Sequence, residues 1–136
     1  MYRVVIDPGV LIAALISSRG APRVLLEAWI DGAFELLVSP TLIDELSRVL
    51  RRPKFRPYVS EQEARAYVAF LQRFASLYPD VDLPPRVGPD PGDDYLLALA
   101  RSQSADVLVS GDRDLCELRN VRPPILTPRA FLNRLR

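Results

Sequence analysis

Apolar positions along the chain switch repeatedly between a run with no polar gap and a helical period. Residues 2–6 (YRVVI) form a short, β-branched run of the kind that makes a buried strand. From Val10 to Ile16 the pattern is apolar and helical; S-S-R-G-A-P (17–22) breaks it, and Val24 to Ile30 resumes as a second helix ending at Asp31-Gly32. Phe34 to Val38 is the next strand. Ser39-Pro40 then supplies an N-cap and a proline at the first helical position, predicting a helix to about Arg51. Arg52 to Pro57 is a basic, proline-broken loop. Ser60 with Glu63 three residues on forms a capping box for a long helix to about Leu77.

Residues 78–92 form a proline-rich connector with room for one short strand near Val81. Asp93 to Ser102 is helical and apolar nearly all round, hence buried. Residues 106–110 (DVLVS) are a strand and G-D-R-D-L-C-E-L starts a short helix. Ile125-Leu126 make a last strand, and Thr127-Pro128 cap a C-terminal helix. Short strands alternating with helices predict a parallel sheet covered on both faces. No repeat, linker or second core is visible, so residues 1–136 read as one domain, the size of a chain that buries its own core. In such sheets ligands bind beyond the carboxyl ends of the strands, near the switch in strand order.

Composition narrows the chemistry. Apolar residues make up 49% and charged residues 26%, a soluble, globular balance. No apolar run reaches the roughly 18 residues of a membrane span, and the start lacks a signal-peptide layout, so no membrane partner and a cytoplasmic location are expected. There is no histidine, which removes Ser-His-Asp and Cys-His nucleophilic chemistry and every histidine-ligated zinc site. Cys116 is the only cysteine and reads as a packed helical residue. Lys54 is the only lysine, and the formal net charge is +1, so any nucleic-acid footprint has to be local. R-V-L-R-R-P-K-F-R (48–56) is such a cluster: Arg48, Arg51, Arg52, Lys54 and Arg56 beside Phe55. It reads either as an RNA-backbone contact with a stacking aromatic or as a solvated helix end. Tyr67, Phe70, Leu71 and Phe74 read as core, or else as a dimer face or partner groove.

Acids stand where the sheet argument looks for chemistry. Asp7 directly follows the first strand; Asp112, with Asp114 two residues on, follows the strand ending at Ser110. At about 100° per residue, Leu42, Ile43, Leu46, Val49 and Leu50 form one apolar stripe with Glu45 on its border and Asp44 facing away. The same geometry does not choose between Asp93 and Asp94. Each acid has a structural alternative: Asp7 before Pro8 and Asp90 before Pro91 are well-formed N-caps, Asp112 can cap the short helix, and Glu45 can pair with an arginine. Converging carboxylates otherwise repel one another, so such a cluster implies a hard cation, Mg²⁺ or Mn²⁺.

R-V-V-I-D-P-G-V-L-I-A-A-L, F-E-L-L-V-S-P-T-L-I-D-E-L-S-R-V-L-R-R-P-K-F-R, D-P-G-D-D-Y-L-L-A-L-A, A-D-V-L-V-S-G-D-R-D-L and I-L-T-P-R-A-F-L, in this order, resemble the PIN-domain family. Within it the chain is similar to the small prokaryotic proteins of VapC type, the toxin components of toxin–antitoxin pairs. The resemblance implies a three-layer α/β/α sandwich with a central parallel sheet and a metal-dependent ribonuclease. It implies RNA as substrate, an antitoxin protein as partner, and a homodimer or higher homo-oligomer. It maps the family's four acids, as catalytic residues and Mg²⁺ or Mn²⁺ ligands, onto Asp7, Glu45, Asp94 and Asp112, with Asp93, Ser110 and Asp114 in support. Family members commonly read Asp-Thr-Asn at the first acid, where this chain has Asp7-Pro8-Gly9. Losing a buttressing hydroxyl and carboxamide costs about 10–100-fold in metal affinity or activity. The alternative function is therefore a catalytically weakened PIN module that binds RNA or a partner protein. A phosphoaspartate receiver needs a lysine after a late strand, and nucleotide folds need a G-x-x-x-x-G-K-[ST] or G-x-G-x-x-G run; the chain has neither.

Overall fold

A computed structural model describes residues 1–82 and 94–136, with Asp94 described in its backbone only. Strands β1 (Arg3–Ile6), β2 (Glu35–Val38), β3 (Ser76–Leu77), β4 (Val107–Val109) and β5 (Ile125–Leu126) form one sheet in the order β3-β2-β1-β4-β5. Every pairing is parallel. The helices are α1 (Pro8–Ile16), α2 (Ala21–Ile30), α3 (Pro40–Leu50), α4 (Glu61–Phe74), α5 (Asp94–Ser102), α6 (Arg113–Cys116) and α7 (Pro128–Leu135). Val4 to Ile6, Leu36 to Val38 and Val107 to Val109 are all buried. Successive strand residues point to opposite faces, so their uninterrupted burial means that both faces of the sheet are covered. The result is the expected α/β/α sandwich. No single helix among the described residues is long and apolar enough to cross a membrane.

The chain leaves β1 through α1 and α2 to β2, continues to the β3 edge, then crosses to the far side of β1 to form β4 and β5. Strand order therefore reverses between β1 and β4. Their register is Val4 with Val107, Val5 with Leu108 and Ile6 with Val109, and the Asp7 N–H extends the ladder by donating to the Val109 carbonyl at 2.9 Å. Asp7 and Ser110 thus leave the sheet side by side at the switch point.

The helix starts follow the expected chemistry. Ser39 accepts from the Leu42 N–H, Thr127 from the Ala130 N–H, and Ser60 and Glu63 form both halves of a capping box. Buried Tyr67 ties α4 to α1 by donating its hydroxyl to the Leu11 carbonyl at 2.8 Å. Arg23 donates to the Ala14 and Leu15 carbonyls, occupying acceptors in the last turn of α1. Leu71 is buried with Tyr67, Phe70 is half-buried against Trp29, and Phe74 is exposed.

Several boundaries differ from expectation. Helix α1 begins at Pro8 rather than Val10, and α2 at Ala21 rather than Val24. Proline in each case occupies the first turn, where its missing N–H costs nothing, rather than breaking the helix. Gly20, at φ +98°, takes the left-handed turn between them that a side chain would resist. Helix α4 stops at Phe74, not Leu77, because Ala75 turns extended and Ser76-Leu77 pair with Leu37-Val38 as the edge strand. No strand forms at Val81. The Ser76 hydroxyl secures this edge by donating to Glu35 at 2.8 Å, and Arg3 holds the other Glu35 oxygen at 3.1 Å. Asp90 and Asp93 lie outside the described residues.

Candidate functional site

The carboxyl ends of β1 and β4 carry a linked group of oxygens. Asp7 caps α1, its Oδ1 accepting from the Gly9 N–H at 2.9 Å. Its Oδ2 accepts from the Ser110 hydroxyl at 2.9 Å. That same hydroxyl, fully buried, accepts from the Asp112 N–H at 3.0 Å. Asp112 in turn caps α6, accepting from the Asp114 N–H at 2.9 Å. Capping and convergence are therefore served by the same two acids. The structure brings Asp7, Ser110, Asp112 and the backbone of Asp114 into one chain of hydrogen bonds.

No arginine or lysine forms an ion pair with Asp7, Asp112 or Asp114 among the described residues. Asp7 is half-buried and Asp112 exposed, and together they make the switch point locally negative. Neighbouring Cys116 responds to the same field. Its thiol donates to the Ser110 carbonyl at 3.5 Å, and burial first, then the charges of Asp112, Asp7 and Glu117, push its pKa up. A thiol held protonated is a packing residue, not a nucleophile.

Glu45 is half-buried and Asp44 exposed, as the helical stripe on α3 requires. Glu45 accepts a hydrogen bond from the Tyr95 hydroxyl, and its other oxygen lies 3.8 Å from Arg48. Tyr95 is the second residue of α5, so this bond brings α3 to the start of the helix that opens at Asp94. The Asp94 side chain lies outside the description. No group of three or more acids, cysteines or histidines stands close enough to hold one ion among the described residues. Glu45 does not join Asp7 and Asp112 in such a group.

The two acids are donors of a kind that could hold Mg²⁺ or Mn²⁺. Asp7 and Asp112 offer hard oxygens, are oriented by backbone N–H groups and a buried hydroxyl, and have no competing cation among the described residues.

Beside Glu45 opens a cleft of about 520 Å³ lined by Thr41, Asp44, Ser47, Arg48, Arg51 and Tyr95. Arg48 and Arg51 of the basic run therefore face a cavity that holds a candidate acid. Arg51 also reaches the Ser47 hydroxyl at 3.5 Å. Arg52 and Lys54 are exposed, with the Lys54 ammonium 5.1 Å from the Phe55 ring centre. Arg56 differs: it turns inward and donates to the Leu50 carbonyl at the end of α3. Tyr95 is not among the residues the sequence points to, and its place beside Asp94 is the one local signal for it.

In a parallel α/β sheet the crevice beyond the strand ends, where the strand order reverses, is where ligands bind, and Asp7 and Asp112 stand there. The PIN domain family model matches residues 3–114, and the chain belongs to that family. No curated protein sequence matches the chain. Solved structures share its fold. VapBC2 from Rickettsia felis, bound to a DNA fragment from its promoter, aligns with a TM-score of 0.65 at 11% identity, covering 91% of this chain and 96% of that one. PAE2754 from Pyrobaculum aerophilum aligns at 0.62 and 20% identity over 99% of this chain and 89% of that one. VapC20 from Mycobacterium tuberculosis, a Sarcin-Ricin loop cleaving toxin, aligns at 0.56 and 14% identity over 82% and 91%.

Proposed function

We propose that this PIN-domain protein is a ribonuclease that hydrolyses RNA phosphodiester bonds with Mg²⁺ or Mn²⁺, and that it is the toxin of a toxin–antitoxin pair. The observation that carries the reading is the Asp7–Ser110–Asp112 chain at the β1/β4 switch point, free of basic partners among the described residues. Asp7 and Asp112 would hold the ion, with Glu45 and Asp94 completing the set from α3 and the start of α5. A bound divalent ion supplies activation of water and charge stabilisation at the phosphate. The protein's own groups do the rest. Backbone N–H donors at Gly9 and Asp114 fix the two carboxylates, and Ser110 ties the Asp7 carboxylate to the Asp112 backbone. Arg48 and Arg51, in the cleft beside Glu45, would neutralise and align the RNA backbone.

Support for the toxin role comes from the shared fold: VapC20 is a toxin that cleaves the Sarcin-Ricin loop, and VapBC2 is a complex captured on promoter DNA. An antitoxin partner follows from the same comparison. The weakened-module reading rests on Pro8 and Gly9, which offer Asp7 one backbone N–H and no side-chain donor.

Purified protein is expected to cleave single-stranded RNA only with added Mn²⁺ or Mg²⁺, and Asp94→Asn to abolish cleavage. Cleavage that survives EDTA and the substitution contradicts the assignment; RNA binding with no cleavage and no metal binding selects the weakened module.

A further inference from the structure

Next to the Glu45 cleft, α3 and α4 enclose a smaller cavity of about 200 Å³. Arg51, Arg56 and Arg65 line it with Ser47, Leu50 and Glu61. Ser47 and Arg51 border both cavities, so the two are neighbours. Arg56 is half-buried. One guanidinium nitrogen is spent on the Leu50 carbonyl, whereas Nη1 lies 4.0 Å from Glu61, beyond hydrogen-bond reach. Nε and Nη1 are buried and have no hydrogen-bond partner among the described residues.

A guanidinium stays charged and can only donate, so two buried donors without an acceptor are an unmet demand for oxygen. A water molecule meets the demand for oxygen but not the charge, since three arginines face one carboxylate. An anion meets both. The Nε and Nη1 edge of an arginine matches the paired oxygens of a phosphate. A carboxylate from a protein partner has similar geometry, but the cavity lies directly beside the cleft where Arg48 and Arg51 stand with Glu45. Two neighbouring arginine-lined cavities favour a polyanion that spans both.

We propose that the α3–α4 cavity is a phosphate subsite for the RNA chain, held by Arg56 and Arg65 and joined to the cleft by Arg51. The inference rests on the ribonuclease reading and adds to it a second point of grip remote from the Asp7–Asp112 pair. The phosphate is either a backbone diester or a terminal monoester of the RNA.

The test is binding, not cleavage, measured in EDTA by fluorescence anisotropy with one single-stranded RNA carrying a 5′-phosphate, a 3′-phosphate or neither. Arg65 is exposed, so Arg65→Gln should keep the fold; Arg56→Lys, checked by circular dichroism, keeps the charge but loses the fork. Loss of one phosphate contact reduces the slope of log K against log salt by about 0.7 on a single strand. The expected result is that reduction in Arg65→Gln, with several-fold weaker binding in both variants. Equal loss for all three RNAs assigns a backbone diester, and loss confined to a phosphorylated end assigns the monoester. Wild-type affinity and slope in both variants overturn the proposal. So does competition by an oligoglutamate peptide that depends on Arg65 while RNA affinity does not. Because no cleavage is read, absence of metal-dependent cleavage would overturn the ribonuclease reading and leave the subsite standing.

Discussion

Replacing Ser110 with alanine removes a fully buried hydroxyl that donates to Asp7 and accepts from the Asp112 N–H. A hydrogen bond to a charged group contributes about 1.5–3 kcal/mol and a neutral one about 1 kcal/mol. Asp112 is exposed and Asp7 half-buried, so water replaces part of what is lost. The net cost is about 2 kcal/mol, somewhat below the sum of about 2.5–4 kcal/mol. For a chain of this length that lowers Tm by roughly 6–10 °C. The more informative effect is on metal. Without the bridge, the Asp7 carboxylate is no longer tied to the Asp112 backbone, and loss of an orienting partner costs about 10–100-fold in metal affinity. Scanning calorimetry measures the first effect, and Mn²⁺ titration calorimetry well below Tm measures the second. A lowered Tm with unchanged Mn²⁺ affinity would refute the reasoning, leaving Ser110 as a brace between two loops and nothing more.

Other outcomes follow from the same contacts. Tyr67→Phe removes a buried hydrogen bond to the Leu11 carbonyl and should cost about 0.5–1.5 kcal/mol in urea unfolding without altering RNA cleavage. The Ser76 hydroxyl, and after it Arg3, hold the Glu35 carboxyl below its ordinary range. Because the folded pKa is the lower one, Glu35 stabilises fully above its unfolded value of about 4.3, and the contribution fades as pH falls through the folded value. Glu35→Gln should therefore lose less stability than wild type between about pH 6 and pH 3 in urea titrations. A side chain at Gly9 would meet the Asp7 carboxylate at 3.6 Å, an ordinary contact, so Pro8→Thr with Gly9→Asn should fold. Mn²⁺ affinity in that double variant should rise, by up to about 10–100-fold; an unchanged affinity would mean that the departure at Pro8-Gly9 does not weaken the site.

The strands and caps were legible because their signals are local. Val4 to Ile6 are β-branched and stop at Asp7-Pro8; Ser39, Ser60 and Thr127 each stand before a helix they cap. Glu45 was separable from Asp44 because a helix repeats every 3.6 residues, which is also local. What escaped was set by distant partners. Ser76-Leu77 are a strand only because β2 offers an open edge, and a two-residue strand has no periodicity to read. Arg56 looked like its basic neighbours until the fold turned it onto the Leu50 carbonyl. Tyr95 gained its role from a glutamate fifty residues earlier. Asp7 illustrates the opposite case: cap and candidate ligand were alternatives in the sequence, and the structure satisfies the cap with one oxygen while turning the other toward Ser110.

The central claim is that the carboxyl ends of β1 and β4 hold the divalent ion. Anomalous scattering from crystals grown with Mn²⁺ tests it directly. The account predicts a peak in coordination contact with both the Asp7 and Asp112 carboxylates, lost in Asp112→Asn. A Mn²⁺ peak elsewhere, or none at this pair in a protein that still cleaves RNA with Mn²⁺, would contradict it.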